Sequence, residues 1–218
     1  MLQGTAGVVR RVCIVANSPE CDPDLVALVS QRADLVIATD GALTQIDPSV
    51  RVDVVCGDFD SVSEAQARIV RPEVEVILRP DQDKNDLEKS IAIALERGAA
   101  DIEVLGAWGG RLDQSLTTLA VLECFSAQAR MVMYHDTWVC RLLQGPGVSA
   151  VCDIETRRND TISIVARNSA ARISIDNVRW PLTDYSLEVG SRGVSNESLG
   201  GIVRVEVHEG IVALCHQR

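Results

Sequence analysis

The sequence lacks any run approaching the roughly 20 consecutive apolar residues of a membrane span. Its start, Met1 to Arg11, carries basic residues but no apolar stretch of the kind a secretory signal needs. A cytoplasmic protein is expected. Basic residues are scarce as well: 21 Lys and Arg face 31 Asp and Glu, a formal charge of −10 over 218 residues. Such a surface repels phosphate backbones, so neither nucleic acid nor a membrane is an expected partner, and a small molecule is. Paired cysteines are missing too. The seven thiols (Cys13, Cys21, Cys56, Cys124, Cys140, Cys152, Cys215) stand singly with no C-x-x-C, the pattern of reduced, mostly buried groups. His135, His208 and His216 do not fall at zinc-ligand spacing. Two nucleotide signatures are absent, the G-x-x-x-x-G-K-[ST] phosphate loop and G-x-G-x-x-G after a strand, so a bound nucleotide would need another device. Repeats and low-complexity segments are absent.

What is present reads as two domains, 1–145 and 146–218. In the first, short β-branched runs alternate with helix-period segments, the signature of a mostly parallel sheet between helices in an α/β/α arrangement. Strands are expected at Val12 to Ala16, Leu35 to Thr39, Val52 to Cys56, Val74 to Leu78, Ile102 to Leu105 and Met131 to Tyr134. Asp22-Pro23 opens a helix with Leu25, Leu28 and Val29 on one face. Asn85 to Arg97 is the clearest helix, with Leu87, Ile91 and Leu95 in register, a capping pair Asn85 and Glu88, and Gly98 as its stop. A third follows Asp113, with Leu116, Leu119 and Ala120 expected inward. After Gln144-Gly145-Pro146-Gly147 the texture becomes all-β, a sandwich or barrel. Strands are expected at Thr161 to Ala166, Arg172 to Ile175, Ser186 to Val189, Ile202 to Val207 and Ile211 to Cys215, the last two joined as a hairpin at Glu209-Gly210.

Acidic or amide residues follow the end of nearly every strand of the first domain: Asn17, then Asp40-Gly41, then Asp58 and Asp60, then Asp81, Asp83 and Asp86, then Arg111 with Asp113. Ligands of open α/β sheets bind at that edge. Clustered carboxylates need a cation, and Mg2+ fits because it takes one or two carboxylates and completes its shell with water and phosphates. Glycines beside the acids, Gly41, Gly57, Gly106, Gly109 and Gly110, would let phosphate approach the backbone. Each residue also has a plainer reading. Asp86 equally suits a helix dipole, a contribution of about 0.3–1 kcal/mol, while Asp22 and Asp53 read as caps or turn formers. Trp108 and Trp138 read as packing residues.

These motifs resemble the thiamine pyrophosphokinase family over almost the whole chain. The matching pieces are Ala38-Thr39-Asp40-Gly41, Gly57-Asp58-Phe59-Asp60-Ser61, Pro80-Asp81-Gln82-Asp83-Lys84-Asn85-Asp86 and Gly110-Arg111-Leu112-Asp113-Gln114, followed by Val178-Arg179-Trp180-Pro181-Leu182 and Val194-Ser195-Asn196. The resemblance implies transfer of the diphosphoryl group of ATP to the hydroxyl of thiamine, giving thiamine diphosphate and AMP. It implies Mg2+ on Asp58, Asp60 and Asp86, with Asp113 completing the catalytic set. Asn17, Asp40, Gly41 and Arg111 would hold the nucleotide, and Gln82, Trp180, Ser195 and Asn196 the thiamine. It also implies a homodimer with shared active sites. The chain departs from the family pattern at Ala42-Leu43-Thr44 and in having Gln114 where many bacterial members have His. A related diphosphokinase acting on a hydroxymethylpterin and an Asp-x-Asp phosphatase are the competing readings. A cationic aromatic such as thiamine suits an acidic cleft and an indole face.

Overall fold

The computed structural model describes residues 10–59, 69, 71–169 and 171–218. It divides into two compact units, Met1–Gly110 and Arg111–Arg218. In the first, β1 (Arg11–Val15), β2 (Leu35–Thr39), β3 (Val54–Gly57), β4 (Glu75–Leu78) and β5 (Asp101–Leu105) form a sheet in the order β5-β1-β2-β3-β4. Every pairing within it is parallel. Its centre is apolar on both faces, Val12 to Ile14 and Val36 to Ala38 being fully buried, as a sheet covered by helices on both sides requires.

Helix α1 (Pro23–Gln31) joins β1 to β2, and Asp22 caps it by accepting from the N–H groups of Asp24 and Leu25. Helix α2 (Asp86–Glu96) leads into β5 and packs on β1, β2 and β3; the Asn85 Oδ1 accepts the Glu88 N–H at 2.9 Å. The chain moves outward from β1 to β4 and then returns past β1 to β5. Right-handed crossovers therefore put α1 and α2 on opposite faces, which makes the three layers. The inner face of α1 is Leu25, Val26 and Val29, whereas Leu28, expected inward, is exposed.

The second unit holds α3 (Leu112–Phe125), β6 (Arg130–His135), β7 (Trp138–Gly145), β8 (Val151–Thr156), β9 (Thr161–Ala166), β10 (Arg172–Ile175), β11 (Leu182–Ser186), β12 (Asn196–Glu197) and β13 (Gly201–Gln217). Strands β7, β8 and β12 had no counterpart among the sequence expectations, and β11 lies at Leu182–Ser186 rather than Ser186 to Val189. Helix α3 turns Ser115, Thr118, Val121 and Leu122 inward; of the three residues expected there, Leu116 and Ala120 are exposed and Leu119 is half-buried. The two hydroxyls can be buried because each donates to the carbonyl four residues back, Ser115 to Arg111 and Thr118 to Gln114.

The expected hairpin at Glu209-Gly210 is a corner. Strand β13 does not reverse: its first part pairs with β8 and β10, its second with β7 and β9, so it passes from one sheet of the sandwich to the other. The register with β10 slips between Arg172 and Ile173, and Gly210 takes φ 83°. A Cβ on Gly145 would stand 1.9 Å from the Val207 carbonyl oxygen, so only glycine lets β7 lie across this bend. Ile162, Ile173, Val203, Val205 and Leu214 fill the space between the sheets.

Candidate active site

Asp40 follows β2 and is 2 % exposed. Its Oδ1 accepts the Gly41 N–H at 2.5 Å and its Oδ2 accepts the Phe59 N–H at 3.0 Å, so one carboxylate joins the ends of β2 and β3. This approach is possible because residue 57 has no side chain; a Cβ there would lie 2.6 Å from the Asp40 Cγ. Phe59 adopts the left-handed conformation, φ 60°, an uncommon state for an aromatic residue that the Asp40 bond helps to hold.

Asp58 accepts from the Gln82 Nε2 at 3.1 Å, which links the loops after β3 and β4. Asp86 occupies the first position of α2, and Lys89 Nζ lies 3.2 Å from its Oδ1. Burial raises the proton affinity of Asp40, and Asp86 and Asp58 raise it further. The buried Cys56 thiol is pushed up to about 11 by desolvation and then by Asp86. Asp60, the remaining acid of the motif, lies outside the described residues. Among the described residues, no group of three or more His, Cys, Asp or Glu side chains is placed to hold a metal ion.

Asn17 and Gly41 are also brought together. The Asn17 Oδ1 accepts from Gln45 Nε2, and a Cβ on Gly41 would stand 2.5 Å from the Asn17 Nδ2. The missing side chains at Gly41 and Gly57 thus make room for the protein's own Asn17 and Asp40, where the sequence had suggested room for phosphate. The loop 106–110 is tied to the loop after β1: Ser18 Oγ donates to the Trp108 carbonyl at 2.7 Å and the Gly110 N–H to Glu20 Oε1 at 3.0 Å. Ser18, Glu20, Gln45 and Lys89 are polar residues here that sequence reasoning missed. The i,i+3 spacing of Asp86 and Lys89 was the available signal for the last.

In the other unit Arg111 and Asp113 form a two-bond fork, Nε to Oδ1 at 3.1 Å and Nη2 to Oδ2 at 2.6 Å. The Arg111 bond holds Asp113 below the usual carboxylate range, and Asp113 in turn raises Arg111. Both side chains are mostly exposed, so the pair adds little stability and is available to a ligand. Trp180, Ser195 and Asn196 come together at one corner of the sandwich. The Trp180 N–H donates to Asn196 Oδ1 at 3.1 Å, and Asn196 Nδ2 returns a bond to the Trp180 carbonyl at 2.8 Å. Ser195, at φ 63°, gives its N–H to Ser163 Oγ. Trp180 is 52 % exposed, and the Arg179 guanidinium, paired with Glu197, lies 4.7 Å over its ring.

An open parallel sheet with interacting carboxylates at its carboxyl edge, followed by a β-sandwich that displays an indole, defines a two-part enzyme of the phosphate-transferring class. Residues 26–134 match the family described as thiamin pyrophosphokinase, catalytic domain, and residues 151–212 match thiamin pyrophosphokinase, vitamin B1 binding domain. The chain belongs to the thiamin pyrophosphokinase family. It is 28 % identical over 201 residues to thiamin pyrophosphokinase 1 of Caenorhabditis elegans, a match spanning 85 % of this chain and 81 % of that one. The fold is that of the crystal structure of thiamine pyrophosphokinase from Bacillus subtilis, with TM-score 0.80 at 23 % identity, covering 95 % of this chain and 99 % of that one. Thiamin pyrophosphokinase from Candida albicans is similar at TM-score 0.77 and 17 % identity, covering 96 % and 90 %.

Proposed function

We propose that the chain transfers the diphosphoryl group of ATP to the hydroxyl of thiamine, giving thiamine diphosphate and AMP. The observation that carries this reading is the placement of Asp40 after β2, Asp58 after β3 and Asp86 at the start of α2, at the carboxyl edge of the sheet, in a chain that matches both family domains. Divided by role, 1–145 is the catalytic part and 146–218 the thiamine-binding part.

The donors suit Mg2+: Asp58 and Asp86 offer hard carboxylate oxygens at the sheet edge, and Asp60, the other acid of the sequence motif, would add a third. Bound there, Mg2+ would neutralise phosphate charge and polarise the β-phosphoryl group. Asn17, Asp40, Gly41 and Arg111 would orient the nucleotide, Arg111 through the fork it now gives to Asp113. Trp180 offers the cationic thiamine an aromatic face, which Ser195 and Asn196 hold in place. Gln82 and Asp113 would sit near the attacking hydroxyl, which forms its bond to the β-phosphorus as AMP leaves. Residue 114 is Gln, whose amide neither takes up nor gives up a proton near neutral pH, so positioning supplies most of the rate. The reading includes a homodimer in which each site is shared between two protomers, and a cytoplasmic location. Among the described residues, no helix is long and apolar enough to cross a membrane.

The test is the product. Purified protein with ATP, Mg2+ and thiamine is expected to form AMP and thiamine diphosphate, and a hydroxymethylpterin offered in place of thiamine is expected to be inert. ADP or free phosphate as the product overturns the diphosphotransfer reading.

A further inference from the structure

An ammonium is rarely buried, because its removal from water is costly unless a counter-charge meets it. Lys89 is nevertheless only 4 % exposed, on the packed side of α2 beside Ser90 and Ile91, both fully buried. Its Nζ meets Asp86 Oδ1 at 3.2 Å, one turn back along the helix. An i,i+3 pair on a helix surface would be solvated at both ends, and this one is not at the lysine end. Packing alone would be served better by an apolar side chain. The surroundings supply the reason for a cation. Asp86 opens α2, which packs on β2 and β3, the strands that Asp40 and Asp58 follow. The ammonium is thus an internal counter-charge beside the carboxylates.

We propose that Lys89 is a positioning residue of the metal and phosphate site. Its ammonium fixes the Asp86 carboxylate and removes one unit of negative charge from the cluster of Asp40, Asp58 and Asp86. The cluster then binds a free divalent cation weakly and accepts it chiefly together with nucleotide phosphates. This inference rests on the assignment of Asp58 and Asp86 as metal ligands.

The test titrates Mn2+ alone into the substrate-free full-length protein and follows free Mn2+ by electron paramagnetic resonance. Lys89→Met, with Lys89→Gln as a second neutral variant should the first fail to fold, is expected to bind Mn2+ about tenfold more tightly than wild type, since a nearby positive charge is gone. Turnover with ATP and thiamine falls in the same variants, because Asp86 is no longer held. Lys89→Arg keeps the charge and is expected to stay within about twofold of wild-type Mn2+ affinity. A folded neutral variant with wild-type Mn2+ affinity, or an arginine variant that behaves like the neutral ones, overturns the role of Lys89. Asp86→Asn separates the two levels. If it weakens Mn2+ binding while the neutral Lys89 variants change nothing, only the Lys89 inference falls; if it leaves Mn2+ binding unaltered, the metal assignment falls with it.

Discussion

At the edge of the parallel sheet, Asp40, Asp58 and Asp86 hold negative charge close enough together that burial and mutual repulsion raise the proton affinity of Asp40. Around Trp180 in the sandwich, the polar groups of Asn196 instead close a two-bond ring on the backbone of residue 180. The first region carries repulsion and a left-handed Phe59; the second leaves a flat indole displayed on a braced backbone. The contrast separates chemistry from recognition. A site that receives a cation and phosphates gains from carboxylates crowded together, whereas a platform for an aromatic ring gains from internal satisfaction and stiffness.

The largest effect should come from the acid edge. Asp58→Asn keeps shape and the neighbourhood of Gln82 while removing the charge of a proposed metal ligand, so kcat is expected to fall by about a thousandfold or more. Far-ultraviolet circular dichroism should be unchanged, because the residue stands in a loop beyond β3. Activity within a factor of a few of wild type would take Asp58 out of the site and remove the contrast.

How far both regions could be read from sequence follows from the same physics. Strands β2, β9 and β10 were legible to the residue because their apolar, β-branched runs are set by burial. The cap of α2 was legible because capping is local. Strand β7 was not, since its buried residues, Val139, Cys140, Leu142 and Leu143, follow no period of two. Nor was β11, a polar strand in which Asp184 takes φ 47° and the register with β10 slips. The corner in β13 showed itself as a Glu-Gly break, but only the partners on either side tell a bend from a turn. In the site, residue types after each strand located Asp40, Asp58 and Asp86. The bond from Asp40 to Phe59 and the Asn196 ring on Trp180 join segments distant in sequence, and no local pattern encodes them; the Asp86–Lys89 pair is local in spacing, but the burial of its ammonium is not.

On the recognition side the effects should be smaller and confined to one substrate. Trp180→Ala removes an exposed indole, so the KM for thiamine is expected to rise about tenfold, the loss of one aromatic and cationic contact, with the KM for ATP unchanged. Stability should stay within about 0.5 kcal/mol, as for most surface substitutions. Asn196→Ala leaves the indole present but loosens its backbone, and a rise of about threefold in the same KM is expected. A comparable change in the KM for ATP in either variant would mean that the corner is not a separate recognition element.

The smallest effect tests whether the acid edge carries the repulsion assigned to it. Burial first, then Asp86 and Asp58, raise Asp40 above its ordinary value in the folded protein. The folded state therefore binds that proton more tightly than the unfolded chain does. The stability Asp40 contributes is fully present below its unfolded value and is lost as pH rises through the raised folded value. Asn has no such proton to lose. Unfolding of wild type and Asp40→Asn, measured by denaturant from pH 4 to pH 7 with a chelator to keep divalent ions away, should show the variant gaining on wild type as pH rises. Asn196→Ala, which removes no titrating group, should give a curve parallel to wild type. A parallel curve for Asp40→Asn as well would mean that the carboxylate is no more costly to ionise in the fold than in the open chain, and the charge crowding that distinguishes the sheet edge from the sandwich corner would have to be abandoned.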